Sequence, residues 1–275
     1  MTPPLEDAVE DIIGKAMRGL GLSDEVVAGR AGVTAGQVHA VRRGDFDAGT
    51  VLKIAPVLDL HGPSLVAIAT RAWYPDVPSI AGLRPFRDES DSMCPNAFLA
   101  WDRTGYGIVF DTTSDARPIV EEADAVGLQI GAILITHTHH DHIAALPRLR
   151  AAYPEAVVIG SALEPIDGAM LVSEGHEVSF GDLHVEVRLT SGHSRGGLSY
   201  LVRGLERPVA VVGDALFAGS MGGGMVSWAD ALENNRRKLL TLPDETIVCP
   251  GHGPMTTVGQ ERLHNPCFRE GKPAA

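Results

Sequence analysis

Thr136-His137-Thr138-His139-His140-Asp141-His142 follows directly on the apolar run Gly131-Ala132-Ile133-Leu134-Ile135, and this junction carries the most chemistry in the chain. Side chains two apart at an extended strand end point to one face, so His137 and His139 can converge on one ion. If the chain then turns into a helix opening on Asp141-His142-Ile143, Asp141 and His142 project from its first turn toward a second ion beside the first. Four titratable side chains in six positions after a buried strand would, without an ion, need several other polar partners. Imidazole and carboxylate donors suit zinc, manganese or iron. His140 is read as exposed, near the mouth of the site.

Three further positions extend the set, each at a strand end or a glycine-rich turn: His193 in SGHSRGG, Asp214 in VVGDALF and His252 in CPGHGP. Taken in order, HxHxDH, GH, GD and PGHG resemble the metallo-β-lactamase fold and, within it, the glyoxalase II-like hydrolases. The resemblance runs from about Asn96 onward, and Asn265-Pro266 and LTLPDETIVCPGHG are similar to the same branch. It implies an α+β architecture, an αββα sandwich. It also implies two divalent ions, zinc first, with iron or manganese as alternatives. His137, His139 and His193 would hold one ion and Asp141, His142 and His252 the other, with Asp214 bridging. Asp111, closing the run GYGIVF, sits where the family often carries an aspartate that supports a ligating histidine. His39, His61, His176, His184 and His264 are read as ordinary structural or surface histidines.

What the resemblance implies chemically is attack by a metal-bridging hydroxide on an acyl carbon, with the second ion or a protonated Asp141 assisting the leaving group. A thiolate leaves readily, so the expected substrate is a small acyl compound, first of all a thioester. Two other readings stand beside this one: a mononuclear-iron persulfide dioxygenase, and a metal- or metabolite-responsive DNA-binding regulator. The loop Ala218–Trp228 has no Lys, Arg or Tyr to grip a glutathione carboxylate, and Met221, Met225 and Trp228 are expected to form an apolar rim on it.

Around this core, AFLAW, GYGIVF, AILIT, AVVIG, HVEVRLT, LSYLV, PVAVV and ETIVC read as strands, with helical patterns at DHIAALPRLRAAY and SWADALENNRRKLLTL. From Leu5 to Arg71 the period is helical, with Ser23 and Thr34 placed to cap two short segments. That stretch resembles the helix-turn-helix of Cro/repressor-like proteins. The predicted division is a helical domain over 1–72, a linker over 73–84 marked by Pro75, Pro78, Gly82 and Pro85, and a hydrolase domain over 85–275. On the helix-turn-helix reading, Gln37, Arg42 and Arg43 would meet DNA. Through residue 70, however, six Lys and Arg face nine Asp and Glu, so phosphate binding starts at a disadvantage. Homodimerisation or covering of the active site are the alternative roles expected of the module.

Over the 275 residues, 23 Lys and Arg against 35 Asp and Glu give a net charge of −12, which disfavours nucleic acid and acidic membrane surfaces. Three cysteines, Cys94, Cys249 and Cys267, form no CxxC pair and suggest no disulfide framework. With no apolar run near the ~18 residues of a membrane span and no leader-like start, a cytoplasmic location is expected.

Overall fold

The computed structural model describes residues 3–88 and 94–269. Five helices come first: α1 (Val9–Leu20), α2 (Asp24–Ala31), α3 (Ala35–Arg42), α4 (Ala48–Ile54) and α5 (Gly62–Ala69). Ser23 and Thr34 do cap α2 and α3, their hydroxyls accepting from the backbone N–H of Val26 and Gln37. α1 and α2 end on Gly21 and Gly32 in the left-handed region, where a residue without Cβ stops a helix at little cost.

The remaining chain builds two six-stranded sheets. The first runs in spatial order β1 (Leu83–Arg87), β2 (Asn96–Trp101), β3 (Tyr106–Phe110), β4 (Gln129–Leu134), β5 (Val157–Ser161) and β6 (Met170–Val172). Helix α6 (Arg117–Val126) precedes β4, and α7 (His140–Ile143) and α8 (Leu146–Ala152) follow it. The second sheet is ordered β12 (Thr256–Thr257), β11 (Ile247–Pro250), β10 (Val209–Gly213), β9 (Leu198–Arg203), β8 (Leu183–Leu189) and β7 (Glu177–Phe180). Helix α9 (Trp228–Asn234) lies between β10 and β11, and α10 (Val258–His264) follows β12.

Alternation along the strands explains the layering, because successive side chains leave opposite faces of a sheet. Phe98, Phe110, Leu134, Tyr200, Val209, Val211 and Cys249 fill one core between the sheets. Their neighbours Leu99, Val109 and Ile133 face outward onto α6 and α8 through Ile119, Ala123 and Leu149. On the second sheet Ala210, Val212 and Val248 face the other way and join one core with Ile12, Ile13, Met17 and Leu65 of the N-terminal helices and Trp228 of α9. The result is a helix–sheet–sheet–helix sandwich in which α1–α5 thicken one outer layer.

β1 begins inside the stretch expected to be a linker. Its Leu83 pairs with Ala100 and its Pro85 with Phe98. As the outermost strand of its sheet it tolerates a proline that lacks an N–H, which is why Pro85 reads as a breaker in the sequence yet sits in a strand. Among the described residues no helix is long and apolar enough to cross a membrane.

Candidate metal centre

The site forms where strand ends of both sheets meet. β4 stops at Leu134 and the chain runs extended through His139, the N-cap of α7, so that His140–Ile143 make a single helical turn. His137 and His139 therefore sit on a loop, while Asp141 and His142 leave the first turn of α7 and His140 faces solvent. The loop after β8 brings His193, the end of β10 brings Asp214 and the end of β11 brings His252. All seven expected positions are drawn together in two groups: His137, His139, His193 and Asp214, then Asp141, His142 and His252.

Distances define the two groups. His139 Nδ1 stands 3.0 Å from both His137 Nε2 and His193 Nε2, and His193 Nε2 is 3.3 Å from Asp214 Oδ2. On the other side His252 Nε2 is 3.2 Å from Asp141 Oδ2 and 3.4 Å from His142 Nε2. Asp214 reaches both groups, its Oδ1 lying 3.4 Å from His142 Nε2 and 3.6 Å from His252 Nε2. Gly251 permits this approach: a Cβ there would stand in the Asp214 carboxylate and 2.7 Å from the His142 ring.

Proton positions follow from the partners behind the rings. Thr136 spends its hydroxyl proton on Asp111 Oδ2 at 2.7 Å, so the oxygen accepts from His137 Nδ1 at 3.1 Å and leaves Nε2 unprotonated toward the cluster. His142 Nδ1 donates to Asp111 Oδ2 at 3.0 Å, and His193 Nδ1 donates to the Gly223 carbonyl at 3.1 Å. Three rings thus present Nε2 inward. Asp111, in the left-handed region at φ 54°, orients His142 and through Thr136 also His137.

Electrostatics points to a cation. Burial pushes His137 well toward the neutral form and His193 in the same direction, and neighbouring histidines add to this against the pull of Asp214. Burial also works against charging His142 and His252, but the carboxylates around them win and hold both above the usual imidazole value. Asp141 is likewise penalised by burial, yet the hydrogen bond from His252 and the charges of His142 and His252 hold it at about 2. At neutral pH its carboxyl is therefore ionised, unlike the protonated acid expected to assist the leaving group. Asp214 Oδ1 is buried with no hydrogen-bond partner, flanked by ring nitrogens. A buried, unsatisfied carboxylate oxygen amid convergent nitrogens fits a divalent ion, which takes the place the protons would otherwise fill.

Several supporting groups carry no motif. Glu164 accepts from Thr138 N, Thr138 Oγ1 and Gly196 N, tying the His137–His142 loop to the His193 loop. Asn96 donates its side-chain amide to the carbonyls of Pro250 and Gly253, fixing the turn that carries His252. Asn235, in a π-helical turn continuing α9, donates to Ala215 O beside Asp214. A polar side chain at or near a strand end was the only signal for Asn96 and Glu164, and Asn235, inside a helical turn, had none.

The loop Ala218–Trp228 corrects the expected apolar rim. Met221 is 1% exposed and Trp228 7%, both packed into the core with α1, whereas Met225 at 75% is open. Cys249 is fully buried between the sheets, where burial pushes its thiol far up. The other histidines have local duties: His61 caps α5, His264 stacks on Trp73 and His184 pairs with Ser179. Gln37 is taken up by the α3 cap and by Thr50, and Arg42 by Asp24 at 2.7 Å, while Arg43 is exposed.

This sandwich with paired histidine–carboxylate groups at its strand ends places the chain in the metallo-beta-lactamase superfamily, whose family model matches residues 95–252. It is 33% identical over 186 residues to the probable metallo-hydrolase YqgX of Bacillus subtilis (strain 168), covering 58% of this chain and 85% of that protein. It is 28% identical over 156 residues to a hydroxyacylglutathione hydrolase of Photorhabdus laumondii, covering 56% of this chain but only 60% of that protein's length. The solved structure of ETHE1 from Myxococcus xanthus is similar at a TM-score of 0.58 and 29% identity, over 67% of this chain and 83% of that one.

Proposed function

We infer that the protein is a dinuclear metal-dependent hydrolase that cleaves an acyl bond, first of all a thioester. The observation that carries the reading is Asp214, whose two carboxylate oxygens face different donor groups: Oδ2 toward His193, Oδ1 toward His142 and His252. His137, His139 and His193 with Asp214 would hold one ion, and Asp141, His142 and His252 with Asp214 the other. Bound there, two divalent ions supply Lewis acidity and a water deprotonated near neutral pH. The chain's own part is orientation. Asp111, Thr136 and Gly223 O keep the outer ring nitrogens protonated and the inner ones free. Ionised Asp141 serves as a donor, and a thiolate leaving group needs no strong acid. Likeness to a hydroxyacylglutathione hydrolase supports the thioester class.

Elemental analysis of the purified protein together with a panel of thioesters, a lactam and a persulfide tests this. About two transition-metal ions per chain and thioester turnover are expected. One iron per chain with oxygen consumption on persulfide would replace the reading by a dioxygenase.

A further inference from the structure

Lys15 and Gly19 lie four apart on α1 and so on one face of it. Both touch the loop that runs from Asp214 to α9. Lys15 Nζ donates to the Met221 carbonyl at 3.1 Å and to Asp7 Oδ2 at 2.6 Å, and it stands 5.1 Å from the Phe217 ring centroid. Phe217 in turn meets the His252 ring edge-on at 5.8 Å. Gly19 is covered by the Trp228 indole so closely that a Cβ would stand inside that side chain.

Between these two braces lie Gly222, Gly223 and Gly224, a run with no side chain to restrict its backbone. Its conformation nevertheless matters to the site. Gly222 is pressed between the Asp214 carbonyl and the His193 ring, where its Cβ would lie 3.0 Å from Nδ1. The next carbonyl, that of Gly223, accepts the Nδ1 proton of His193. On the α10 side the loop is held by Gly219 N donating to Glu261 and Asn265 Nδ2 donating to Ser220 O. Beyond Ser220, Lys15 of α1 holds the loop at Met221, and Val226 N and Ser227 N donating to the Gly192 carbonyl hold its far end.

We propose that Lys15 is a positioning residue for His193: by gripping the Met221 carbonyl it fixes the peptide run whose Gly223 carbonyl holds the His193 ring, so that Nε2 points at His139 and Asp214. The N-terminal helices then complete the metal centre from the outer layer they thicken. The inference rests on His193 being a metal ligand, as the functional reading has it, but not on the substrate.

Because Lys15 also neutralises the buried Asp7 carboxylate, Lys15→Met is to be compared in an Asp7→Asn background, with Lys15→Arg as the conservative variant. Co2+ and Zn2+ affinity is measured by chelator competition, the Co2+ absorption spectrum records ligand geometry, and thermal unfolding of metal-free protein reports packing. Asp7→Asn/Lys15→Met should bind the metal about 10–100-fold more weakly than Asp7→Asn, the range found when groups behind metal ligands are removed, with an altered Co2+ spectrum and an unchanged metal-free midpoint. Lys15→Arg should restore most of the affinity. Metal affinity and spectrum equal to those of Asp7→Asn, or a lowered metal-free midpoint with affinity intact, would overturn the proposal. Lys15-dependent metal binding in a protein that hydrolyses no thioester would support it while sinking only the substrate reading.

Discussion

Thr136 donates to Asp111 twice, from its backbone nitrogen to Oδ1 and from its hydroxyl to Oδ2, both at 2.7 Å. A single buried threonine thereby fixes the carboxylate behind His142 and the proton on His137. Thr136→Val keeps the shape and removes the hydroxyl. Metal affinity should fall about 10–100-fold, and stability by about 1–3 kcal/mol because His137 Nδ1 is left without its acceptor. Chelator competition and urea unfolding measure the two effects, and unchanged metal binding would remove Thr136 from the set that orients the site.

Asp214→Asn tests the shared donor. The amide keeps the volume but offers one oxygen where the carboxylate offers two. Metal content should drop from two ions toward one, with activity down by more than ~100-fold, beyond the usual loss for a group behind a ligand. Retention of two tightly bound ions would show that Asp214 does not bridge.

Stability should depend on pH through Glu261. Burial pushes its carboxyl from the ordinary 4.5 up to about 7, against the hydrogen bonds donated by Thr256, Asn265 and Gly219. Between those values the folded chain keeps a proton that the unfolded chain releases, so stability falls as pH rises through this window and levels off above it. The cost at the upper end is about 3 kcal/mol. Glu261→Gln keeps acceptors for Asn265 and Gly219 and can donate to Thr256. The difference in urea midpoint between variant and wild type should therefore grow between pH 5 and 8, and a constant difference would refute the assignment.

DNA binding should be absent at physiological salt. Gln37 and Arg42 are engaged within the module, and only Arg43 of the three candidate contacts is exposed and unpaired among the described residues. A selected sequence retained in a gel shift, and lost on Arg43→Ala, would reverse this.

Substrate choice should not favour glutathione. The loop Ala218–Trp228 has no cation, and a missing charge-assisted contact is worth about 1.5–3 kcal/mol, or ~10–150-fold. Small aryl or alkyl thioesters are expected to match or exceed a glutathione thioester in kcat/KM. A glutathione preference larger than that range would point to another cation, with exposed Arg195 the first to replace by alanine.

The histidine motif was legible because its chemistry is local: four donors within six residues after an apolar strand leave few other readings. Apart from Asp111, the groups behind the donors were not, since Asn96, Glu164 and Lys15 reach the site from 154, 26 or 206 positions away from their partners Pro250, Thr138 and Met221. Met221 and Trp228 looked like an open rim because a sequence does not say which surface a distant helix will cover. β1 was hidden by Pro85, whose meaning depends on whether the strand lies at an edge. Helix α6 was likewise missed, its polar run EEAD masking the two residues, Ile119 and Ala123, that it buries.

The core shared by α1–α5 and the second sheet sets an order of events at the ribosome. The helices are synthesised first, but Ala210, Val212, Trp228 and Val248, which share their core, are synthesised more than a hundred residues later. Domains that emerge early usually finish folding while the rest is being made. Here the core that α1–α5 share with the second sheet and α9 cannot close until those later segments leave the exit tunnel, so translation passes through a long interval in which nascent chains carry an uncovered greasy face.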